Sequence, residues 1–172
     1  ISNGYPMGAV VGRRDVMAAA GQMFISSTYW SDTIGLRAAL TTLREVRRRD
    51  VPKIVHEIGT RLMTEITAVA GEAGLPARCE GLSFHPHLTF DVEDSQQRSQ
   101  LATLFIQEMA KRGCHGYTSF YLNAAQTPCD IEQTVAAARE AFQIMVAGLE
   151  RGNLGELLEC QQQVESFRRL VR

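Results

Sequence analysis

The spacing of apolar residues changes along this chain at Pro76, and the change restricts it to folds in which helices pack on a sheet. Between residues 33 and 74 apolar side chains recur at helical spacing, and Pro52 divides the stretch into two helices. After Pro76 the period becomes two, which is typical of a half-buried strand. Helical spacing then returns twice, from about Gln96 to Arg112 and from Thr127 onward. The pattern predicts an α/β domain that follows a long helical connection.

The same periods predict which side chains are buried. The first helix carries its apolar face at Ile34, Ala38, Leu40, Leu43 and Val46. The second helix carries Val55, Ile58, Leu62, Ile66 and Val69 on one face. The helix that ends before Gly113 is expected to bury Leu101, Leu104, Phe105 and Met109. One strand is predicted from Leu82 through Phe84 to Val92, with Arg78 to Glu80 as a short neighbour, and a second over Tyr117 to Leu122.

The last long helix has the clearest start signal in the sequence. Thr127 is suited to cap it, Pro128 suits the first helical position, and Asp130 completes a capping box. Its apolar stripe is Ile131, Val135, Ala138, Phe142, Met145 and Leu149. Such a stripe is typical of a core face, and we assign it no catalytic role. A further amphipathic piece follows Gly152, and the chain ends in a polar tail that includes residues 167–170.

The first thirty residues are rich in glycine and other small residues. We expect a brief strand at Val10 and Val11 and a short helix from Asp15 to Ala20 that ends at Gly21. This stretch is too short to form a domain, and its strand needs a sheet supplied by other residues. We therefore interpret the chain as part of a longer protein.

Composition excludes several classes of function. The formal net charge is −1 with both signs interspersed, which argues against a nucleic-acid surface or a polybasic membrane patch. The sequence has neither an apolar run long enough to cross a membrane nor a secretory leader, so we expect a soluble, cytoplasmic protein. Four scattered cysteines without CxxC spacing favour reduced thiols. A zinc site built from Cys114, His115, His85 and His87 is a weak alternative, because no second ligand pair has metal spacing. We predict no metal site.

The chain has only two lysines, Lys53 and Lys111. An amine that attacks a carbonyl must be desolvated or placed beside other cations, so that it is neutral. Lys53 follows Pro52 at a polar helix start, and Lys111 lies in the polar last turn of a helix. Both are interpreted as ordinary solvated lysines, and neither is assigned to catalysis.

The first residues carry a resemblance to a known family. The run from Ile1 to Ala9, followed by residues 12–17, resembles the segment just after the catalytic lysine of class III aminotransferases, which are pyridoxal-phosphate enzymes. Asn3 and Gly4 occupy the small-residue positions of that segment, so the resemblance places the Schiff-base lysine two residues upstream of Ile1. No catalytic residue is then expected within the chain. Asn3, Gly4, Tyr5 and Pro6 are expected to shape the site, since glycine and proline set a tight turn and an aromatic ring offers rigid apolar area.

A second matching segment is 24–30. Thr28 occupies the position of a threonine that, in the family, donates its hydroxyl and backbone amide to the cofactor phosphate of the neighbouring subunit. Ser26 and Ser27 add further donors, which a phosphate ester requires in place of water. Trp30 could line the substrate pocket or belong to the core. The resemblance thus predicts cofactor binding by Thr28, Ser27 and Ser26.

A third matching segment is 123–131. Gln126 stands where family members commonly have histidine, which removes a titratable group, so we expect no acid–base role there. Thr127 and Asp130 are explained by helix capping.

Together the three segments imply the C-terminal part of a fold-type I transferase. The implied organisation is the end of the large domain at residues 1–32, a helical connection at 33–74 and an α/β small domain with its tail at 75–172. The implied function is transfer of an amino group between an amino acid or amine and an oxo acid or aldehyde, with pyridoxal 5'-phosphate as cofactor, in a homodimer completed by the missing N-terminal segment. The alternatives are an intramolecular aminomutase of the glutamate-1-semialdehyde type and a non-catalytic dimerising fragment without the lysine. A dehydrogenase is excluded, because no GxGxxG follows a strand.

Overall fold

The computed structural model describes residues 1–163 and divides the chain into two compact units, Ile1–Pro52 and Lys53–Arg172. The helices are α1 (Arg14–Met17), α2 (Thr33–Arg48), α3 (Val51–Ala73), α4 (Ser95–Lys111) and α5 (Pro128–Arg151). The strands are β1 (Ala77–Leu82) and β2 (His85–Phe90). Two 3-10 turns, Ala18–Gln22 and Leu154–Leu157, complete the regular structure of the described residues. The predicted tail at residues 167–170 lies outside them.

The first unit is one long helix and a largely irregular chain before it. The predicted helix after Arg13 is confirmed as α1 followed by a 3-10 turn. The predicted strand at Val10 and Val11 is wrong: both residues lack regular structure and are more than four-fifths exposed. A strand needs a hydrogen-bonding neighbour, and no segment of residues 1–52 pairs with this one.

Helix α2 begins where the sequence predicts, with the Asp32 side chain accepting a hydrogen bond from the Ile34 N–H at 2.9 Å. Its predicted apolar face is not covered within the first unit, since Ile34, Leu40 and Leu43 are at least 42% exposed. The buried helix positions are instead the small residues Gly35 and Ala39. The chain leaves α2 through Asp50, which has a positive φ of 49°.

The second unit holds the hydrophobic core. All five predicted α3 positions are buried or half-buried, and Ile66 has no exposed surface. Phe105 of α4 stacks on Phe142 of α5 with ring centroids 5.9 Å apart, and Phe120 meets Phe105 edge-on at 6.4 Å. The predicted stripe of α5 is confirmed, with Leu149 half-buried and the other members buried. Burial of these aromatic and aliphatic side chains is the main stabilising contribution in this unit.

The sheet starts as an antiparallel hairpin with β1 and β2 in register from Ala77 opposite Phe90 to Leu82 opposite His85. The predicted alternation of β2 is confirmed, because Leu88 and Phe90 are buried together with Pro86. β1 is longer than the short neighbour that the sequence predicts and ends at Leu82. The predicted start of the next strand at Leu82 is therefore wrong, because residues 83–84 form the turn between β1 and β2. Residues 118–122 run antiparallel along the other edge of β2 through backbone hydrogen bonds, with one regular bridge between His87 and Ser119. The predicted strand at 117–122 is therefore present as an extended segment rather than as a regular strand.

The start of α5 follows the capping box predicted for it. The Thr127 hydroxyl accepts from the Asp130 N–H, while the Asp130 carboxylate accepts from the Thr127 N–H at 2.6 Å. The Thr127 hydroxyl also donates to this carboxylate, and the hydrogen bonds from the Thr127 backbone N–H and hydroxyl lower the pKa of Asp130. The helix ends at Gly152, which has the left-handed conformation that glycine adopts without strain.

Candidate functional site

The segment that the sequence assigns to phosphate binding lies on the surface of the first unit. Ser26, Ser27 and Thr28 are all exposed and precede a turn in which the Trp30 N–H donates to the Ser27 carbonyl at 3.2 Å. Helix α2 begins a few residues later, at Thr33. The run therefore lies on the approach to a helix N-terminus, where backbone N–H groups favour anions.

The donors of this run are available. Within residues 1–163, no hydrogen bond uses the hydroxyls or the backbone N–H groups of Ser26, Ser27 and Thr28. An exposed hydroxyl that has no protein partner keeps its full donor and acceptor capacity for a ligand. The run thus offers three hydroxyls and three amides to a phosphate.

An open cleft of about 500 Å³ brings part of the predicted site together. Its wall contains Pro6 from the N-terminal turn and Ser26 and Ser27 from the second segment, with Trp30 beside them. The other lining residues are Met7, Gly8, Ile25, Tyr29, Asp32 and Leu36, and sequence reasoning assigned no role to Met7, Asp32 or Leu36. Thr28 is not among the lining residues, so its hydroxyl belongs to the open surface next to the cleft.

The described residues of the cleft do not supply the positive charge that a phosphate requires. Among its described lining residues none is cationic, and Asp32 contributes a carboxylate that already caps α2. The segment therefore supplies neutral donors, while the positive charge that balances a phosphate must come from other groups. The hydroxyl and backbone N–H donors of Ser26, Ser27 and Thr28 are of the kind that a phosphate-binding loop uses.

The N-terminal turn separates the four predicted site-shaping residues. Asn3 and Gly4 both have positive φ angles, 50° and 107°, and the buried Ser2 hydroxyl donates to the Tyr5 carbonyl and closes the turn. Asn3 and Tyr5 line a different groove, along α2. Pro6 alone of the four reaches the cleft of Ser26 and Ser27.

Neither lysine has the surroundings of a Schiff-base residue. The Lys111 ammonium donates to Glu159 at 2.6 Å and to Glu108 at 2.9 Å, and these hydrogen bonds raise the pKa of Lys111. The Lys53 side chain is 68% exposed, with its ammonium 4.0 Å from Glu57. An ammonium that two carboxylates hold protonated, as in Lys111, is a poor nucleophile. Lys53 has the exposure that the sequence interpretation assigns to it.

Gln126 has a structural contact in the second unit. Its side-chain oxygen accepts from the Asn123 N–H at 2.9 Å, and its own N–H donates to the Asn123 carbonyl at 3.3 Å. The Asn123 side chain also accepts from the Ala125 N–H at 2.9 Å. The amide therefore closes the turn before α5.

The cysteines and histidines do not form a metal centre in the described chain. Within residues 1–163, no group of three histidine, cysteine, aspartate or glutamate residues is placed to hold an ion. Burial raises the pKa of Cys79 to about 12, and burial also raises the pKa of Cys114. Both thiols are thus protonated near neutral pH.

Comparison with known proteins shows that the chain is similar to aminotransferases and to an aminomutase. The chain is 27% identical over 149 residues to a 3-aminobutyryl-CoA aminotransferase of Cloacimonas acidaminovorans, covering 83% of this chain and 35% of the relative. It is 30% identical over 156 residues to a glutamate-1-semialdehyde 2,1-aminomutase of Laribacter hongkongensis, covering 83% and 37%. No family model matches the chain. This chain is class III aminotransferase-like.

Solved structures of related proteins contain the fold of this class III aminotransferase-like chain. The FumI protein of Sphingopyxis sp. MTA144, solved in its PLP internal aldimine form, superimposes with a TM-score of 0.77 at 24% identity over 91% of this chain and 38% of that one. An omega-transaminase of Sphaerobacter thermophilus gives a TM-score of 0.71 at 21% identity over 84% and 37%. The expected fold, part of a fold-type I transaminase, is confirmed. The chain spans little more than a third of the length of these relatives. No helix of the described residues is long and apolar enough to cross a membrane.

Proposed function

We propose that this chain is the C-terminal part of a pyridoxal-phosphate-dependent aminotransferase that moves an amino group between an amino acid or amine and an oxo acid or aldehyde. The observation that carries the proposal is that similarity to aminotransferases extends over 83% of the chain in sequence and 91% in fold. The N-terminal segment of the same protein then supplies the Schiff-base lysine. A cytoplasmic homodimer with the site at the subunit interface completes the proposal.

The surface of the first unit supports the proposal that this chain packs against other polypeptide. Phe24, Val11 and Val10 are 96%, 88% and 84% exposed, and Trp30 is 63% exposed. Large apolar side chains that are this exposed are frequent on a surface that another polypeptide covers. The second unit, by contrast, buries its core within itself.

Pyridoxal phosphate, when bound, supplies the electron sink for reactions at the carbon that carries the amino group. In the proposed enzyme Thr28, Ser27 and Ser26 hold its phosphate through hydroxyl and backbone N–H donors. Pro6 shapes the wall of the site, and Asn3, Gly4 and Tyr5 act through the positive-φ turn that precedes it. The residues of this chain thus bind and orient, and proton transfer belongs to the upstream lysine.

An aminomutase is the second candidate, because glutamate-1-semialdehyde 2,1-aminomutases are among the relatives at a similar level of identity. In that reaction the donor and acceptor carbons belong to one molecule. Assay of the complete enzyme with and without a separate oxo acceptor distinguishes the two, since amino-group transfer to an added oxo acid is expected only of the aminotransferase. A non-catalytic dimerising fragment instead predicts a folded protein that shows no affinity for the cofactor even with the upstream segment present.

Thr28→Ala in the complete enzyme is expected to weaken cofactor retention without affecting folding. Thr28 is exposed and makes no hydrogen bond within the described chain, so its hydroxyl does not stabilise the fold. A hydrogen bond to a charged phosphate contributes about 1.5–3 kcal/mol, which corresponds to about a tenfold or greater rise in the cofactor Kd. Equilibrium dialysis with pyridoxal phosphate measures the change, and thermal unfolding of the apoenzyme monitors folding.

Thr28→Ser is the matched control, because it keeps the hydroxyl and is expected to restore most of the affinity. Equal Kd values for Thr28→Ala and the parent enzyme would remove Thr28 from the phosphate site.

A further inference from the structure

The polypeptide after α5 folds back along α4. Residues 154–163, which we call the strap, contain the 3-10 turn Leu154–Leu157 and then an irregular segment. Leu154 is 3% exposed and anchors the beginning of the strap in the core, against Gly148. Beyond Leu158 the strap is mostly exposed. What holds its distal half must therefore be something other than apolar burial.

The distal half is held by side chains of α4 that bind its backbone. The Gln107 amide nitrogen donates to the Leu157 carbonyl at 3.0 Å, and the Gln107 oxygen accepts from the Glu159 N–H at 2.7 Å. One side chain thus satisfies an acceptor and a donor of an extended segment, as a neighbouring strand would do.

A second attachment lies one helical turn away. The Thr103 hydroxyl, which is buried, accepts from the Gln163 N–H at 3.0 Å and donates to the Ser99 carbonyl at 2.7 Å. Thr103, Gln107 and Lys111 are spaced by four residues and so share one face of α4. Lys111 adds an ion pair with Glu159 at 2.6 Å on the exposed side.

We propose that residues 159–163 open and close on α4 as one unit, with Gln107 as the latch, at a free-energy cost well below that of global unfolding, while Leu157 and Leu158 stay packed against the core. The attachments of residues 159–163 are few and polar, and neutral hydrogen bonds and exposed ion pairs each contribute little net stability. Local opening of such a segment requires no disruption of the core. The strap is thus a conformational device of the second unit that does not depend on the proposed enzymatic function.

Hydrogen exchange on the full chain tests this, with Gln107→Met as the main variant. Methionine keeps the length and helix propensity of glutamine but forms neither hydrogen bond. The amides of Glu159 and Gln163 are both expected to exchange about tenfold faster or more, although Gln163 is bound by Thr103 rather than by Gln107. The amide of Phe142 in the core is expected to exchange at the parent rate.

Thr103→Val provides the reciprocal test, because it releases Gln163 and should also deprotect Glu159. Gln143→Ala, at an exposed position of α5, is the control and should change neither amide. Faster exchange confined to Glu159 in Gln107→Met, or to Gln163 in Thr103→Val, would show that the two attachments open separately and would overturn the proposal. Acceleration of Phe142 together with both strap amides would overturn it too, because the strap would then open only with the core.

Discussion

Replacing Gly59 by alanine will destabilise the second unit by about 3 kcal/mol or more, the largest effect that we expect from any single methyl group in this chain. Gly59 is a buried position of α3, and a Cβ atom there would lie 1.7 Å from the Ser83 carbonyl oxygen. That oxygen belongs to the backbone of the turn between β1 and β2, so it cannot be relieved by a side-chain rotation. The hairpin would have to move away from the helix.

The same turn is bound to α3 by a second contact, between His56 Nδ1 and the Ser83 hydroxyl at 3.0 Å. A displaced hairpin would lose this hydrogen bond and would disturb the core residues Leu88 and Phe90 of β2. Urea unfolding followed by circular dichroism measures the loss of stability.

Gly71→Ala is the matched control for Gly59→Ala. Gly71 lies in the same helix, is exposed, and has no atom within 4 Å of its ideal Cβ position. Alanine there is expected to stabilise the protein by about 0.5 kcal/mol, because glycine has the larger conformational entropy in the unfolded chain. If Gly59→Ala were as stable as Gly71→Ala, the close approach of the hairpin to α3 would be wrong.

The second large effect concerns Glu108, a buried acidic residue of α4. Its carboxylate accepts from Arg112 at 2.8 Å, from Lys111 at 2.9 Å and from the Gln107 amide at 3.1 Å. Burial raises the pKa of Glu108, but the hydrogen bonds from Arg112, Gln107 and Lys111 outweigh burial and lower the pKa to about 2. The ionised form is therefore strongly favoured in the folded state.

The depressed pKa gives a defined pH dependence of stability. The unfolded chain binds the proton near pH 4.5 and the folded chain near pH 2, so the contribution of Glu108 is fully present above pH 4.5. It is lost as the pH falls from about 4.5 to about 2. A shift of this size corresponds to about 3 kcal/mol.

Glu108→Gln is expected to lower the free energy of unfolding by about 2–3 kcal/mol at neutral pH, because Arg112 and Lys111 lose their charged partner. Near pH 2 the variant and the parent should become equally stable. Glu150→Gln, at an exposed position of α5, is the control and should stay within about 0.5 kcal/mol of the parent at both pH values. A stability difference between Glu108→Gln and the parent that is independent of pH would contradict the assignment.

The sequence predicts much of the second unit because its elements are stabilised within it. The capping box of Thr127 and Asp130 and the stripe through Phe142 depend on local chemistry and on one buried face, and both are present. The weak strand at 117–122 shows the limit of periodicity. Alternation predicts an extended chain, but a regular ladder depends on which neighbour lies at the right distance.

In the first unit periodicity predicts the helix and not its burial. Ile34, Leu40 and Leu43 have helical spacing, yet nothing within residues 1–52 covers them. The strand expected at Val10 and Val11 fails for the same reason, because its hydrogen-bonding partner is not part of this unit. A helix that depends on local sequence is predicted correctly in this unit. A strand or a buried face, which depends on a packing partner, is not.

Some residues of the candidate site could be predicted from the sequence and others could not. The resemblance selects Ser26, Ser27 and Thr28, and the geometry adds that their donors are free and that Pro6 shares a cleft with the two serines. The participation of Met7 and Asp32 depends on how the turn folds, which spacing along the sequence does not encode. Their assignment to the cofactor stays a prediction.

The most direct test of the proposed function is the position at which pyridoxal phosphate attaches in the protein encoded by the complete reading frame. Borohydride reduction after incubation with the cofactor fixes any attached group, and peptide mapping by mass spectrometry locates it. We predict a single phosphopyridoxyl group on a lysine two residues before Ile1, with Lys53 and Lys111 unmodified. Specific labelling of Lys53 or Lys111, or the absence of any specific label, would contradict the account.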